Sequence, residues 1–474
     1  MGDCINNKKS AKRAMPRFIN KRKIVFAFVA WLLPALAAAD VVIGIVEDGP
    51  LPRPIIPLGM LEAEILDLVG DEFSVSMPES KRIDGGWTLE RIRDALARQL
   101  AEKSIVLLKN EGNILPLAKT RGSIAVIGPL ADAPYEQLGT WIFDGDPQYS
   151  VTPLQAIRDL IGGTTDVRFL RALEISRSRD TSAFDEAVSI ASESDAGVLF
   201  LGEESILSGE AHSRADISLP GAQAELVRRV RETGTPVAAV ILAGRPLTLS
   251  NIVDEVDAIL YAWHPGTMGG PAIADLLFGI ESPSGKLPAT FPRMVGQVPI
   301  YYSQKHTGKP PSPDTVVLID DIDARAPQLS TGMTAYHLDA GYTPLFAFGH
   351  GLSYATFDYE DIRASAAEIR LGEPITISAE LTNTSDIAAD EVVQLYVRDL
   401  VGNVTRPVKE LKGFRRVRLE PGQQITVAFE LHTDDLAFFG RDNTLITEPG
   451  EFHAWIGGSS ETELRTEFRI VADR

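Results

Sequence analysis

Residues 201–220 read LGEESILSGEAHSRADISLP, and three carboxylates, Glu203, Glu204 and Glu210, follow directly on the apolar run Ala196–Leu201. A buried strand that ends in acidic side chains delivers them to the rim of a sheet. There they can form a solvated loop, a sugar-binding rim, or one half of a catalytic acid/base pair. The last option needs a second carboxylate, because a lone general acid typically contributes only about 10²–10⁴-fold to a rate. His212, Arg214 and Asp216 follow in the same loop. The arginine and aspartate are expected to pair with each other or to fix the loop, and His212 to face a pocket or, more simply, solvent.

Other chemistries find less support. The seven histidines are scattered and show no H-E-x-x-H or comparable ligand spacing, so no metal site is expected. No G-x-S-x-G elbow occurs. WHPGTMGG (263–270) resembles a phosphate loop but fits neither G-x-G-x-x-G nor G-x₄-G-K-[ST]; its glycines read as a tight strand-to-helix turn. Lys286, in PSGKLPATFP, reads as part of a structural turn with no chemical role. No cofactor is expected.

The elements that must position these residues can be traced by periodicity. Thr88 reads as the N-cap of a helix whose apolar face is Leu89, Ile92, Ala95, Leu96 and Leu100. Apolar strands are expected at SIVLLKN, 122–132, 165–173, 196–202, 236–244 and 258–264. Amphipathic helices are expected at 152–162, 182–195, 219–234 (opened by Pro220) and 269–279. Continuous apolar strands between helices predict an α/β domain, its mostly parallel sheet covered by helices on both faces. Residues 303–355 are rich in Pro, Ser, Gly and Asp and read as a linker. Beyond them, alternating segments such as EVVQLYVRD and QQITVAFELH predict an all-β sandwich, immunoglobulin- or fibronectin type III-like, over 356–474.

The chain has 474 residues, 44% hydrophobic and 23% charged, a composition that excludes global disorder and a polytopic membrane protein. Its first 39 residues read as a signal peptide. A basic stretch at Lys21–Lys23 precedes the apolar run Ile24–Leu36, and Ala37–Ala39 offers a cleavage site. The expected location is exported, periplasmic or secreted. The single cysteine, Cys4, falls within that leader. Residues 1–23 carry a surplus of seven positive charges, so the net charge of −19 leaves about −26 on the rest. Such a surface repels nucleic acid and anionic lipid and favours a neutral ligand.

Eight segments then occur in a specific order: EKSIVLLKNEGNILPL, IAVIGPLAD, SGEAHSRADISLPGAQ, GRPLTL, AWHPGTMGGPAIADLLFG, SPSGKLPATFPRMVGQVPIYY, PLFAFGHGLSY and RPVKELKGFRRVRLEPG. Together they resemble the C-terminal half of glycoside hydrolase family 3, the β-glucosidase and β-xylosidase family, from about Ala97 onward. The resemblance implies hydrolysis of terminal β-linked glucose or xylose and a β-glucoside or oligosaccharide as substrate. It assigns the acid/base role to Glu210, with Glu203 as runner-up, and places Trp141 near a domain interface where it stacks on sugar or packs in the core. His212 and Arg214 are the further substrate-binding candidates.

In that family the nucleophilic aspartate comes from an N-terminal (β/α)₈ barrel, and retaining hydrolysis takes two carboxyl groups about 5–5.5 Å apart. Such a barrel needs about 200–250 residues, whereas 57 separate Asp40 from Ala97. Residues 40–95 read as a short unassigned α/β segment. Asp48 and Asp84 are its vaguely placed acids, and neither matches the nucleophile motif. The expectation is therefore a truncated, weakly active or inactive relative, as if an upstream start had been joined to a glucosidase tail. The alternative is a non-catalytic carbohydrate-binding or interaction module. A barrel supplied in trans by a partner is a third reading.

Overall fold

The computed structural model describes residues 89–472 apart from Arg121 and Thr331. The leader, the segment expected to replace the barrel, and Asp48 and Asp84 lie outside the described residues. Helix α1 (Leu89–Ser104) runs into strand β1 (Val106–Asn110). Ala95 and Leu96 are half-buried and Ala101 is buried, whereas Leu100, expected on the apolar face, is 43% exposed. Arg98 of the same helix pairs with buried Asp275.

The α/β part continues through β2 (Ser123–Ile127), α2 (Pro153–Ile161), β3 (Asp166–Leu170), α3 (Phe184–Ser192) and β4 (Gly197–Gly202). It then adds α4 (Gln223–Arg231), β5 (Val237–Leu242), β6 (Ala258–Tyr261) and α5 (Gly269–Leu277). The sheet order is β1-β6-β5-β4-β2-β3. All neighbours are parallel except β1, which pairs antiparallel with β6 at the edge. Strands β2, β4, β5 and β6 are buried along their whole length, as a sheet covered on both faces requires.

Alternation along β4 shows the two layers. Val198 and Phe200 face the core shared with Leu154 and Ile157 of α2 and Ile273 and Leu276 of α5. Leu199 and Leu201 face Phe184 of α3 and Leu226 and Val230 of α4. Each such fully buried side chain contributes roughly 1.5–3 kcal/mol of transfer free energy. Helix α4 starts at Gln223, later than Pro220 suggested. Gly221 takes φ +66°, and the Gln223 side chain folds back to donate to the carbonyls of Ser176, Gly202 and Pro220.

Two glycines let the central strands end. Gly128 follows β2 with φ +124°, and Gly202 closes β4 with φ +136°. A Cβ on Gly128 would overlap the Phe200 carbonyl, and one on Gly202 the Leu242 carbonyl. The chain therefore leaves the sheet at the C-terminal ends of both strands pressed against a neighbouring strand.

Among the described residues, 303–345 carry no helix or strand beyond a single 3-10 turn at Ile319–Asp321. The following stretch returns to the α/β part: Phe346 bridges Phe291 and Leu352 bridges Leu107. Strands β7 (Phe357–Ala364), β8 (Glu368–Arg370), β9 (Pro374–Asn383), β10 (Ala389–Asp399), β11 (Glu410–Leu419) and β12 (Gln424–His432) follow. The last are β13 (Phe438–Phe439), β14 (Leu445–Ile446), β15 (Gly450–Gly457) and β16 (Arg465–Val471). A five-stranded sheet, β11-β10-β15-β16-β8, faces a three-stranded one, β12-β9-β7. Val393, Leu395, Ile377, Leu381, Val427 and Phe452 fill the space between them, the two-layer arrangement of a fibronectin type III-like sandwich.

Lys286 bridges the junction between the two parts. Its Nζ donates to the Gly351 carbonyl at 2.8 Å and pairs with Glu391 of β10 at 3.1 Å. Tyr359 of β7 donates to the other Glu391 oxygen at 2.8 Å. Tyr302 stacks on Phe348 at 4.1 Å, and Tyr396 of β10 meets both edge-on.

Candidate functional site

Strands β4 and β5 are parallel neighbours, so their C-terminal ends release their loops on the same rim. The β4 loop begins with Glu203, which is fully buried. Its carboxylate accepts from Arg214 on one oxygen and from Arg245 Nε, at 3.1 Å, on the other. Arg245 follows β5 and its closing Ala243–Gly244. Its Nη2 also donates to the Leu207 carbonyl and, at 2.9 Å, to that of His212. Arg214 Nη2 reaches the Ser218 carbonyl at 2.9 Å. One buried carboxylate and two arginines thus fasten the loop at its root, its middle and its return.

Glu210 projects from that fastened loop. It is exposed and lies between Gly209, at φ +112°, and Ala211, at φ +61°. The His212 N–H closes the turn on the Gly209 carbonyl at 3.2 Å. A non-glycine residue held in the left-handed region stores about 1–3 kcal/mol, so Ala211 is kept there by its surroundings. His212 is also exposed, its Nδ1 3.1 Å from the Ser208 carbonyl.

Arg214 and Asp216 do not pair with each other. Arg214 is taken by Glu203, and Asp216 accepts the Ser218 N–H at 2.9 Å, which holds its carboxyl below the usual range. Both fix the loop. Glu204 turns the other way. It is buried, accepts from Ser176 Oγ at 2.8 Å and pairs with Arg177 at 3.4 Å.

A second loop, after β2, faces the first. Gly139 adopts φ +84° with its Cα packed against the His264 ring, and Gly209 approaches Thr140. Burial pushes the His264 imidazole down to about 4, against a smaller opposite pull from the Glu136 backbone. Trp141 takes φ +63° and is 60% exposed, with Phe143 tilted against it at 6.0 Å and itself 86% exposed. An aromatic pair and a free carboxylate therefore stand on adjacent loops of one rim.

Sequence reasoning missed Arg245 and Gln223. Arg245 lies in GRPLTL directly after a buried apolar run, as Glu203 does, and two such exits on parallel neighbours predict a charge pair. Nothing in the sequence alone marks β4 and β5 as neighbours. Glu203, the runner-up for proton transfer, is buried between two arginines and not presented at the rim.

Residues 105–354 match the Glycosyl hydrolase family 3 C-terminal domain, and residues 391–460 match the Fibronectin type III-like domain. The chain is similar to the periplasmic beta-glucosidase of Salmonella typhimurium, with 35% identity over 426 residues, 86% of this chain and 54% of that protein. It is also similar to a beta-xylosidase of Formosa agariphila, with 38% identity over 372 residues, 77% of this chain and 48% of that protein. Among solved structures, a beta-glucosidase from Listeria innocua in complex with glucose superposes with a TM-score of 0.71 and 34% identity, covering 81% of this chain and 50% of that one. The chain spans about half the length of the relatives it matches.

Proposed function

The chain belongs to glycosyl hydrolase family 3, and from that membership we propose that it presents Glu210 as the general acid/base of a β-glycoside hydrolase site. The substrate class is terminal β-linked glucose or xylose, as the names of the similar proteins suggest. The observation that carries this reading is the position of Glu210. It is an exposed carboxylate on a loop whose other charged groups are spent on holding it in place.

In a retaining mechanism Glu210 first donates a proton to the leaving oxygen and then takes one from the attacking water. A second carboxylate attacks the anomeric carbon from about 5–5.5 Å away. Glu210 makes no hydrogen bond or ion pair to any described residue, and we assign the nucleophile to a carboxylate outside them. The exposed side chains of Trp141, Phe143, Tyr149 and Ile206 form the apolar rim that a nucleophile-bearing domain, in the same polypeptide or supplied in trans, would cover. Export, as the leader implies, agrees with similarity to a periplasmic enzyme.

The test is purified chain with a chromogenic β-glucoside. The expected result is little or no turnover; rates of about 1–10³ s⁻¹, ordinary for enzymes, would show that the chain supplies its own nucleophile and refute a barrel supplied in trans. A second reading, a non-catalytic carbohydrate-binding module, is favoured by the Trp141–Phe143 pair. Calorimetry with cello-oligosaccharides separates the two: binding lost in Trp141→Ala and unchanged in Glu210→Gln, with no turnover, supports the module.

A further inference from the structure

The order of the sheet opens a crevice at the C-terminal strand ends, lined by neither Trp141 nor Glu210. Strand β2 lies between β3 and β4. The chain leaves β2 to one side to form β3 and returns on the other side to form β4. Loops that diverge in this way leave a gap outside the C-terminal strand ends, where open α/β sheets bind ligands. A cavity of about 280 Å³ occupies this point, walled by residues after β2, β3 and β4.

Its polar groups are held in place with bonding capacity to spare. Glu204 is fixed by Ser176 and Arg177. Glu136 uses one oxygen to accept the Ser205 N–H and hydroxyl, at 2.6 and 2.9 Å. Arg171 donates through Nη2 to the Asp132 carbonyl at 3.1 Å. A carboxylate offers about four acceptor sites and a guanidinium five donors, so each can bind a further partner without moving. Apolar surface comes from the Tyr135 ring, 53% exposed, and from Ile175, 39% exposed.

The lining also decides the ligand class. Asp132, Glu136, Glu174 and Glu204 outweigh Arg171 and repel anions. Among the described residues no three His, Cys, Asp or Glu converge tightly enough to hold a metal ion. The volume lies just below the roughly 300–1,000 Å³ of drug-sized sites, space for one ring. Fixed acceptors, a donor and an aromatic face suit a neutral polyhydroxylated molecule. We infer that this crevice binds a single neutral sugar unit, held by residues other than Trp141 and Glu210. The inference rests on the proposed function only for its carbohydrate class. Occupancy would bear on the rim, because Glu136 holds Ser205 in the first turn of the loop that carries Glu210.

The test uses the full chain with ¹³C-labelled isoleucine methyl groups, titrated with D-glucose and separately with calcium chloride. Glucose is expected to shift the Ile175 methyl signal saturably. Tyr135→Ala and Glu174→Gln, both at exposed positions, should each weaken the midpoint about fivefold or more, the loss expected from one contact of about 1 kcal/mol. Trp141→Ala should leave it unchanged. An Ile175 signal that stays put at every glucose concentration, or that moves with calcium instead, overturns the inference. If the Ile175 shift is present while the chain binds no cello-oligosaccharide at Trp141, the crevice stands and the carbohydrate-binding reading of the rim falls. The reverse pattern rejects the crevice alone.

Discussion

Replacing Glu203 by alanine tests the scaffold beneath Glu210 directly. The carboxylate is fully buried, and the side chains of Arg214 and Arg245 are each only 19% exposed. The variant leaves two guanidinium groups, about four-fifths buried, without their counter-ion. Breaking a buried pair from one side costs about 3–5 kcal/mol, a large share of a total stability of about 5–15 kcal/mol. At about 2–4 °C per kcal/mol for a domain of 150–250 residues, the melting temperature should fall by roughly 6–20 °C. Glu203→Gln keeps the shape and one acceptor but exchanges charged hydrogen bonds for neutral ones, so its loss should be smaller, about 1–3 kcal/mol. Calorimetric melts in low and high salt provide the assay. The deficit should persist in 1 M salt, because buried pairs are screened far less than exposed ones. Trypsin adds a local readout, since cleavage after Arg214 should appear in the variant before the rest of the chain is attacked. A Glu203→Ala protein that melts within about 2 °C of the parent and resists trypsin equally would refute the idea that this carboxylate holds the loop.

Acid should weaken the same region through His264. Its imidazole is held near 4 when folded, against an ordinary 6.5. Between those values the unfolded chain binds a proton that the folded chain refuses, so stability present above pH 6.5 is lost as the pH falls toward 4. Melting temperatures measured across that window should fall less steeply in His264→Gln than in the parent, and equal slopes would discount the histidine. Gly202→Ala should destabilise by more than about 3 kcal/mol, because the new Cβ meets the Leu242 backbone at a φ that alanine avoids. Soluble yield and urea unfolding measure it, and a midpoint near that of the parent would show that the β4 exit can relax.

Much of the architecture was legible because burial on two faces leaves long apolar runs such as AGVLFLG, and burial on one face leaves alternation such as QITVAFELH. The loop that carries Glu210 was legible through its order among seven other segments. What escaped was pairing between residues far apart in sequence. Arg214 lies two positions from Asp216, and proximity along the chain suggested a pair. The bond went instead to Glu203, because a fully buried carboxylate has more to gain from a cation than an exposed aspartate that a backbone N–H already serves. The burial of Leu100 was misjudged as well. Apolar spacing alone does not show that an arginine two residues earlier pairs with an aspartate on another helix.

Lys286, first taken for a turn residue, holds its ammonium in the α/β lobe while its counter-ion, Glu391, belongs to the sandwich. Exchanging either lobe for a foreign one would leave a largely buried ion without its partner. Ancestral shuffling that separated them would have faced that penalty at once, so the two lobes are expected to be inherited as a couple, whatever is joined in front of them.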